Sequence, residues 1–266
     1  MGRLDGRGAV VTGGARGIGE GIVRLFVEEG ARCVIADIDV VAGERLASEL
    51  GDAAHFIRTD VTKESDIEAA IAECLDLFGR LDVMVNNAGV VGVVGHIGDT
   101  PLAEYERTIA ILLTSVFLGT KHASRVMGTQ GSGVIINTSS TAGIQGGLGP
   151  HVYTAAKHGV IGLTKSVAVE MAPLGVRVNA LCPGATVSSL TAGVVTGDPD
   201  NLREAELRLA AKYPGGRAPM PRDLAEAALF LASDESCFMS GAVLVIDSAK
   251  EVLANSAAAK FYPPRG

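Results

Sequence analysis

The stretch Ala9-Val10-Val11-Thr12-Gly13-Gly14-Ala15-Arg16-Gly17-Ile18-Gly19 decides how the chain is read. An apolar run of strand character passes into small residues and then into a helix-period segment that opens at Ile18. Glycines at 13, 17 and 19 let backbone N–H groups approach a pyrophosphate, and the helix N-terminus adds a positive partial charge. A second apolar run, Arg32–Asp37, ends on a carboxylate about 20 residues further on, where it can accept hydrogen bonds from both hydroxyls of an adenosine ribose. A carboxylate there repels a 2′-phosphate and so favours NAD over NADP. Arg16 pulls the other way, since a guanidinium in the loop can hold that phosphate. Asp37 weighs more, because it sits at the ribose itself.

Outward from this unit the pattern repeats. Ala9–Thr12, Arg32–Asp37, His55–Arg58, Asp82–Asn86, Val134–Thr138, Val176–Leu181 and Ala242–Ile246 read as strands, short and Val/Ile-rich as strands buried on both faces are. Ile18–Glu29, Val41–Leu50, Glu64–Phe78, Leu102–Met127, Val152–Met171 and Asp223–Ala232 read as helices. Gly30, Gly51 and Gly79 stand where a left-handed C-cap is wanted. Strand–helix alternation predicts right-handed crossovers with helices on both sheet faces. The expected fold is therefore α/β, a single doubly wound Rossmann-type domain over residues 1–266 with a seven-stranded parallel sheet. Gly184 to Pro221 is the longest stretch without a strand signal and holds one modest helical segment, Asn201–Lys212. It predicts a mobile substrate lid at about residues 186–214, not a second domain. The tail, Ala257–Gly266, either frays or docks on a neighbouring subunit.

Hydrophobic residues make up 47% of the 266, enough for a sizeable core and too many for a disordered chain. The net charge of −7 and the lack of any Lys/Arg run argue against nucleic-acid or anionic-membrane partners. No apolar stretch of about 20 residues predicts a membrane span, and the N-terminus shows no apolar targeting segment. Cys33, Cys74, Cys182 and Cys237 form no CxxC pair, which excludes zinc and dithiol motifs. Three lie in apolar runs and are expected as buried free thiols in a reducing, cytoplasmic setting.

Three residues carry the chemistry. Tyr153 and Lys157 are four apart in a helical segment and share a face. Ser140 stands just past the fifth strand. A free phenol has a pKa of about 10; a nearby ammonium favours the phenolate and lowers it. Tyr153 can then take the proton of an alcohol, or give one to a ketone, as hydride moves. Ser140 would hydrogen-bond the substrate oxygen. Singly these are ordinary surface and turn residues; beside a dinucleotide loop they form a catalytic set. Gln145 and His151 precede the catalytic helix and are candidate substrate contacts. His158 is expected to pack. The histidines are scattered, and no metal site is expected.

The combination of Thr12–Gly19, Asp60-Val61, Asn86-Asn87-Ala88-Gly89, Ser140, Tyr153-x-x-x-Lys157 and Pro183-Gly184 resembles the short-chain dehydrogenase/reductase family, from about Leu4 to Ile246. The resemblance implies that the Asp60 side chain and the Val61 backbone contact adenine, and that Asn87, Ala88 and Gly89 support the adenosine. It implies that Lys157 also holds the nicotinamide ribose, that the chain after Pro183 and Gly184 turns over the nicotinamide with Thr186 at its carboxamide, and that Ser188 stands where a Thr is more usual. It implies a homotetramer. The Leu102–Met127 and Val152–Met171 helices carry more apolar residues than one inward stripe needs, as helices paired between subunits do. The run His151–His158 is locally similar to dehydrogenases of cyclic terpenoid, lignan or dihydrodiol alcohols.

Two departures from the family pattern stand out. Leu112 replaces an Asn that in the family kinks its helix and holds a water relaying protons to the Lys; a backbone carbonyl takes over that role, or the relay weakens. Asp247-Ser248-Ala249 replaces an Asp-Gly-Gly turn, which is expected to alter that turn or a subunit contact. Two readings follow: an NAD-dependent dehydrogenase, or a dinucleotide-binding protein with little or no catalysis. Leu112 favours the second; Ser140, Tyr153 and Lys157 together favour the first. The lid residues Leu190, Val194, Val195, Leu202, Leu207 and Leu209 suit a hydrophobic, cyclic secondary alcohol, terpenoid-like first, dihydrodiol or steroid-type otherwise. Asp37 and the acidic net charge speak against an acyl-carrier-protein ketoreductase, which needs NADPH and a basic docking patch.

Overall fold

The computed structural model describes residues 2–250. Seven parallel strands form one sheet: β1 (Gly8–Thr12), β2 (Arg32–Asp37), β3 (Ala54–Arg58), β4 (Val83–Asn86), β5 (Gly133–Thr138), β6 (Val176–Pro183) and β7 (Val243–Ile246). Their spatial order is β3-β2-β1-β4-β5-β6-β7, and neighbouring strands are parallel throughout, as the alternation of elements predicts. The helices are α1 (Gly17–Glu28), α2 (Val40–Leu50), α3 (Glu64–Phe78), α4 (Leu102–Ile109), α5 (Ser115–Gln130), α6 (His151–Met171), α7 (Ser189–Thr196), α8 (Leu202–Ala210) and α9 (Pro221–Ala232).

The continuous apolar strands make sense once both faces are covered. Val11, Ile35, Val85, Ile136 and Leu181 pack with α1 and α9 on one face, around Ile22, Phe26, Ala228 and Leu229. Their strand neighbours Val10, Val34, Met84, Ile135 and Val178 point to the other face, among Ile67, Ile71, Met127 and Met171 of α3, α5 and α6. The period-2 alternation of side chains thus feeds two cores, not a core and a solvent face. Cys33, Cys74 and Cys182 are buried free thiols as expected, whereas Cys237 is exposed.

The expected single helix Leu102–Met127 is divided. Residues Ala110–Thr114 form a π-helical turn between α4 and α5, and within it Leu112 is fully buried. A Cβ placed on Gly89 would stand 3.4 Å from Leu112 Cδ2, so the leucine packs on the chain leaving β4. Ser115 Oγ donates to the Ile111 carbonyl at 2.6 Å, a back-bond of the kind that bends helices. A helix that sequence reading missed, α7, begins where the Ser188 hydroxyl accepts the Thr191 N–H at 3.3 Å. The tail Ala257–Gly266 lies outside the described residues.

One polar network ties the two central strands to the helices beneath the C-terminal edge. Asn86 Nδ2 donates to Asn137 Oδ1 at 2.8 Å and to Thr120 Oγ1 at 3.3 Å; Asn137 Nδ2 donates to Thr164 Oγ1 at 3.0 Å. Asn137 is fully buried and its amide is committed, so Asn137→Ala should leave two buried groups short of partners. The expected loss is about 2–3 kcal/mol, read as a lower urea midpoint at constant slope; a loss under about 0.5 kcal/mol, the scale of a surface change, would contradict it.

Candidate active site

The sheet order diverges from β1 toward β2 on one side and β4 on the other, and the loops leaving these strands open a crevice at their carboxyl ends. Gly13 and Gly17 of the first loop have φ of +63° and +54°. A Cβ on Gly19 would stand 1.9 Å from the Gly13 carbonyl oxygen, so the turn closes only without a side chain there. Arg16 is the N-cap of α1, and its side chain makes no capping bond. The first N–H groups of α1, around Ile18 and Gly19, thus lack a side-chain cap and suit an anion.

Asn87 locks this loop from β4. Its side-chain amide donates to the carbonyls of Thr12 and Gly13 at 3.1 and 3.2 Å, while the N–H groups of Asn87 and Ala88 donate to Thr12 Oγ1 at 2.9 and 3.2 Å. Asp37 braces the loop from β2: Oδ2 accepts the Ala15 N–H and Oδ1 accepts the Asp39 N–H, both at 3.0 Å. Arg16 Nε donates to Asp39 Oδ2 at 2.6 Å. Asp60 follows β3 with Oδ1 accepting the Thr62 N–H and hydroxyl, bonds that hold its carboxyl below the usual range; Val61 beside it is buried. After Pro183 and Gly184, Thr186 is buried with its hydroxyl on the Gly184 carbonyl. Ser188 comes close to the glycine loop, its Cβ 3.2 Å from a Cβ built on Gly17. A cradle without room for side chains, an uncapped helix start and a carboxylate at the end of β2 together fit a dinucleotide.

Ser140, Tyr153 and Lys157 are brought together beyond this cradle. Ser140 Oγ accepts the Ala142 N–H at 3.1 Å, which leaves its proton to turn toward the Tyr153 phenol, whose ionised form it favours. Lys157 Nζ lies 5.7 Å from the Tyr153 ring centroid and donates to the Thr138 carbonyl at 2.8 Å. A backbone carbonyl therefore holds the ammonium, and Asn137, spent on its network, does not. The expectation that the ammonium depresses the Tyr153 pKa is corrected for the protein alone. Burial raises the phenol, and the opposing effect comes from Ser140. Burial also pulls Lys157 down to about 8, so its charge is weak leverage.

Sequence reading missed two supports. Ser139 Oγ donates to the Lys157 carbonyl at 2.8 Å and fixes α6 against β5. Cys182 is buried beside Ser139, Ser140 and Lys157, and burial pushes its thiol up. A Ser-Ser pair at a strand end is the only signal for the first; nothing local marks the second.

Gln145 and His151 are exposed, Gln145 on the loop before α6 and His151 at its first residue. His158 does not pack as expected. It is exposed, with Nδ1 on the Thr154 carbonyl at 2.9 Å, because its position on α6 faces outward. Ser248 and Ala249 take φ of +53° and +60°. The left-handed turn that a glycine pair adopts freely is thus kept under strain, not replaced. Leu209 of the lid is buried with Val187 and Ala218, so it anchors α8, whereas Leu190, Val194, Leu202 and Leu207 stay exposed. Among the described residues, Glu64, Glu68 and His122 group metal-ligating side chains. Both His122 ring nitrogens face carboxylates and Lys121 pairs with Glu64, which makes the group an ion-pair network between α3 and α5.

A family model described as enoyl-(acyl carrier protein) reductase matches residues 13–248. The chain is 44% identical to the sex determination protein tasselseed-2 of Zea mays over 92% of this chain and 81% of that protein. It is 41% identical to a mitochondrial borneol dehydrogenase of Lavandula x intermedia over 94% and 93%. It is 42% identical to a 3-alpha-(or 20-beta)-hydroxysteroid dehydrogenase of Mycobacterium tuberculosis over 92% and 90%. The crystal structure of levodione reductase superposes with a TM-score of 0.87 at 31% identity, covering 94% of this chain and 99% of that one. The chain belongs to the short-chain dehydrogenase/reductase family. It is an oxidoreductase of the alcohol-acting kind, whose cofactor is a nicotinamide dinucleotide, NAD or NADP.

Lys157 binds its proton less firmly folded, at about 8, than unfolded, near 10.5. Between these values the unfolded chain carries more protons, so stability rises with pH. Relative to Lys157→Met, the wild-type unfolding free energy should therefore gain up to about 1.4 kcal/mol per pH unit from about pH 8 upward. Urea unfolding of both proteins from pH 7 to 9.5 measures it; a flat difference would place the ammonium in water.

Proposed function

We propose that this protein is an NAD-dependent dehydrogenase that interconverts a hydrophobic, cyclic, terpenoid-like secondary alcohol and its ketone. The observation that carries the reading is the convergence of Ser140 on the Tyr153 phenol, with the Lys157 ammonium 5.7 Å from the Tyr153 ring centroid. A bound nicotinamide supplies the hydride acceptor. Tyr153 Oη takes the alcohol proton in oxidation and returns it to the carbonyl oxygen in reduction. Ser140 holds that oxygen by hydrogen bonding and stabilises its developing charge. Lys157, anchored on Thr138, orients the nicotinamide ribose.

Asp37 at the end of β2 supports NAD as the dinucleotide, through Gly13, Arg16, Gly17, Ile18, Gly19, Asp60, Val61, Asn87, Ala88, Gly89, Pro183, Gly184, Thr186 and Ser188. The segments leaving this sheet edge expose Val94, Ile97, Ile144, Leu190, Val194 and Leu207, and such a rim suits an apolar substrate better than a sugar or phosphate ester. Gln145 and His151 supply its polar contacts. Residues 186–214 act as its lid within a single domain. The borneol and hydroxysteroid dehydrogenases among the relatives support a cyclic alcohol. Exposed Leu102, Phe117 and Val169 on α4, α5 and α6 support a homotetramer paired through these helices. No described helix is long and apolar enough to cross a membrane, and three buried free thiols support a cytoplasmic setting.

A second reading, dinucleotide binding with little catalysis, draws on Leu112, which is fully buried and offers Lys157 no hydrogen bond. Nicotinamide absorbance with NAD and NADP against a panel of cyclic secondary alcohols separates the two. Turnover with NAD, lowered about 10²–10⁴-fold in Tyr153→Phe, is expected; unchanged turnover in the variant would sink the assigned mechanism, and NAD binding without turnover would favour the second reading. Because burial raises the Tyr153 phenol above its ordinary value, alcohol oxidation, which needs the phenolate, should accelerate from pH 7 to 9, whereas ketone reduction, which needs the protonated phenol, should stay nearly constant.

A further inference from the structure

The cofactor cradle contains an ion pair, Arg16 with Asp39, whose effect on the choice of dinucleotide the reading above does not use. Arg16 is the one cation of the glycine loop, and its side chain is 58% exposed. It does not reach freely into the crevice, because its Nε donates to Asp39 Oδ2 at 2.6 Å. Asp39 is itself held on two other sides. Its Oδ1 accepts the Ala42 N–H at 3.0 Å, capping α2, and its own N–H donates to Asp37 Oδ1 at 3.0 Å. The Ala42 bond, then Arg16, keep its carboxyl below the usual range. Asp37 and Asp39 thus form a rim of two carboxylates against one guanidinium, a net charge of −1 beside the ribose position.

We infer that Asp39 is a second determinant of cofactor choice, acting by holding Arg16 in an ion pair and so denying a guanidinium to a 2′-phosphate. The inference rests on the dinucleotide reading above and adds a residue to it. Asp37 excludes the phosphate by its own charge; Asp39 does so by occupying the only loop cation able to bind it. Exposed ion pairs are weak, so what matters is not the strength of the pair alone. A phosphate of about −1.5 to −2 charges must displace a carboxylate already oriented by the Ala42 N–H and then stand beside it. With Asp39 neutral, the rim falls to zero net charge and Arg16 is released. Two other cations lie near. Arg45 is paired with Glu49 and Glu20, and Arg58 ends β3 in register with Asp37.

Asp39→Asn tests the inference, since an asparagine keeps an oxygen for the Ala42 N–H and removes only the charge. Binding of NADH and NADPH to the full-length protein is followed by reduced-nicotinamide fluorescence, excited at wavelengths where the protein does not absorb. Thermal melts of each variant confirm folding. The NADPH-to-NADH affinity ratio should rise about 10-fold or more in Asp39→Asn, as a charge-assisted bond forms. It should return near the wild-type value in Asp39→Asn combined with Arg16→Ala. A ratio unchanged within about 2-fold in folded Asp39→Asn, with NADH still bound, would overturn this inference and leave the dinucleotide reading standing. A rise that persists without Arg16 would overturn it too, and assign the effect to Arg58 or to relief of repulsion. Wild-type protein that binds neither nucleotide would overturn both.

Discussion

The burial of the five central strands on both faces is the constraint from which the rest follows. With helices packed over Val10 and Val11 alike, the strand bodies admit a polar side chain only where its bonds are made inside the protein, as Asn179 does with Met239 and Ala242. Polar side chains are admitted where a strand ends, and the parallel arrangement puts all carboxyl ends on one edge. Thr12, Asp37, Asn87, Ser140 and Gly184 stand at successive strand ends and therefore meet, although they are spread over most of the chain. The site is a product of topology before it is a product of any particular residue.

Within that edge, polar groups serve geometry first. Asn87 and Asp37 spend their hydrogen bonds on the glycine loop itself, so the cradle keeps its shape without a ligand. Below it the Asn86–Asn137–Thr164 chain stitches β4 and β5 to α6, which carries Tyr153 and Lys157. Ser139 adds a bond from β5 to the same turn of α6. The distance between Ser140 and Tyr153 is thus set by buried amides and hydroxyls, in a region where an unpaired partner is costly. Lys157 is the exception. It is buried with a carbonyl and no carboxylate, a placement that stability alone would not favour and that marks a functional group.

Much of this was legible beforehand. The seven strands, six of the helices and their order follow from apolar runs and periodicity, because burial on both faces leaves an unmistakable pattern. The glycine loop and the Tyr153–Lys157 pair are local in sequence and so readable. Three things were not. The π-helical turn at Ala110–Thr114 has no periodicity of its own and breaks a helix that reads as continuous. The helix α7 is short and weakly patterned, and only its cap at Ser188 gives it away. His158 reads as core from its apolar neighbours, yet its angle on α6 turns it outward.

The sequence by itself determined which elements form, that they alternate, and which residues have the chemistry to bind a dinucleotide and move a proton. Those are properties of composition and spacing along one chain. The tertiary structure alone decided the electrostatics. Burial set Tyr153 above and Lys157 below their ordinary values, and a contact between two loops paired Arg16 with Asp39. Neither can be read from neighbours in sequence, because the strength and sign of a charge's environment depend on what folds around it.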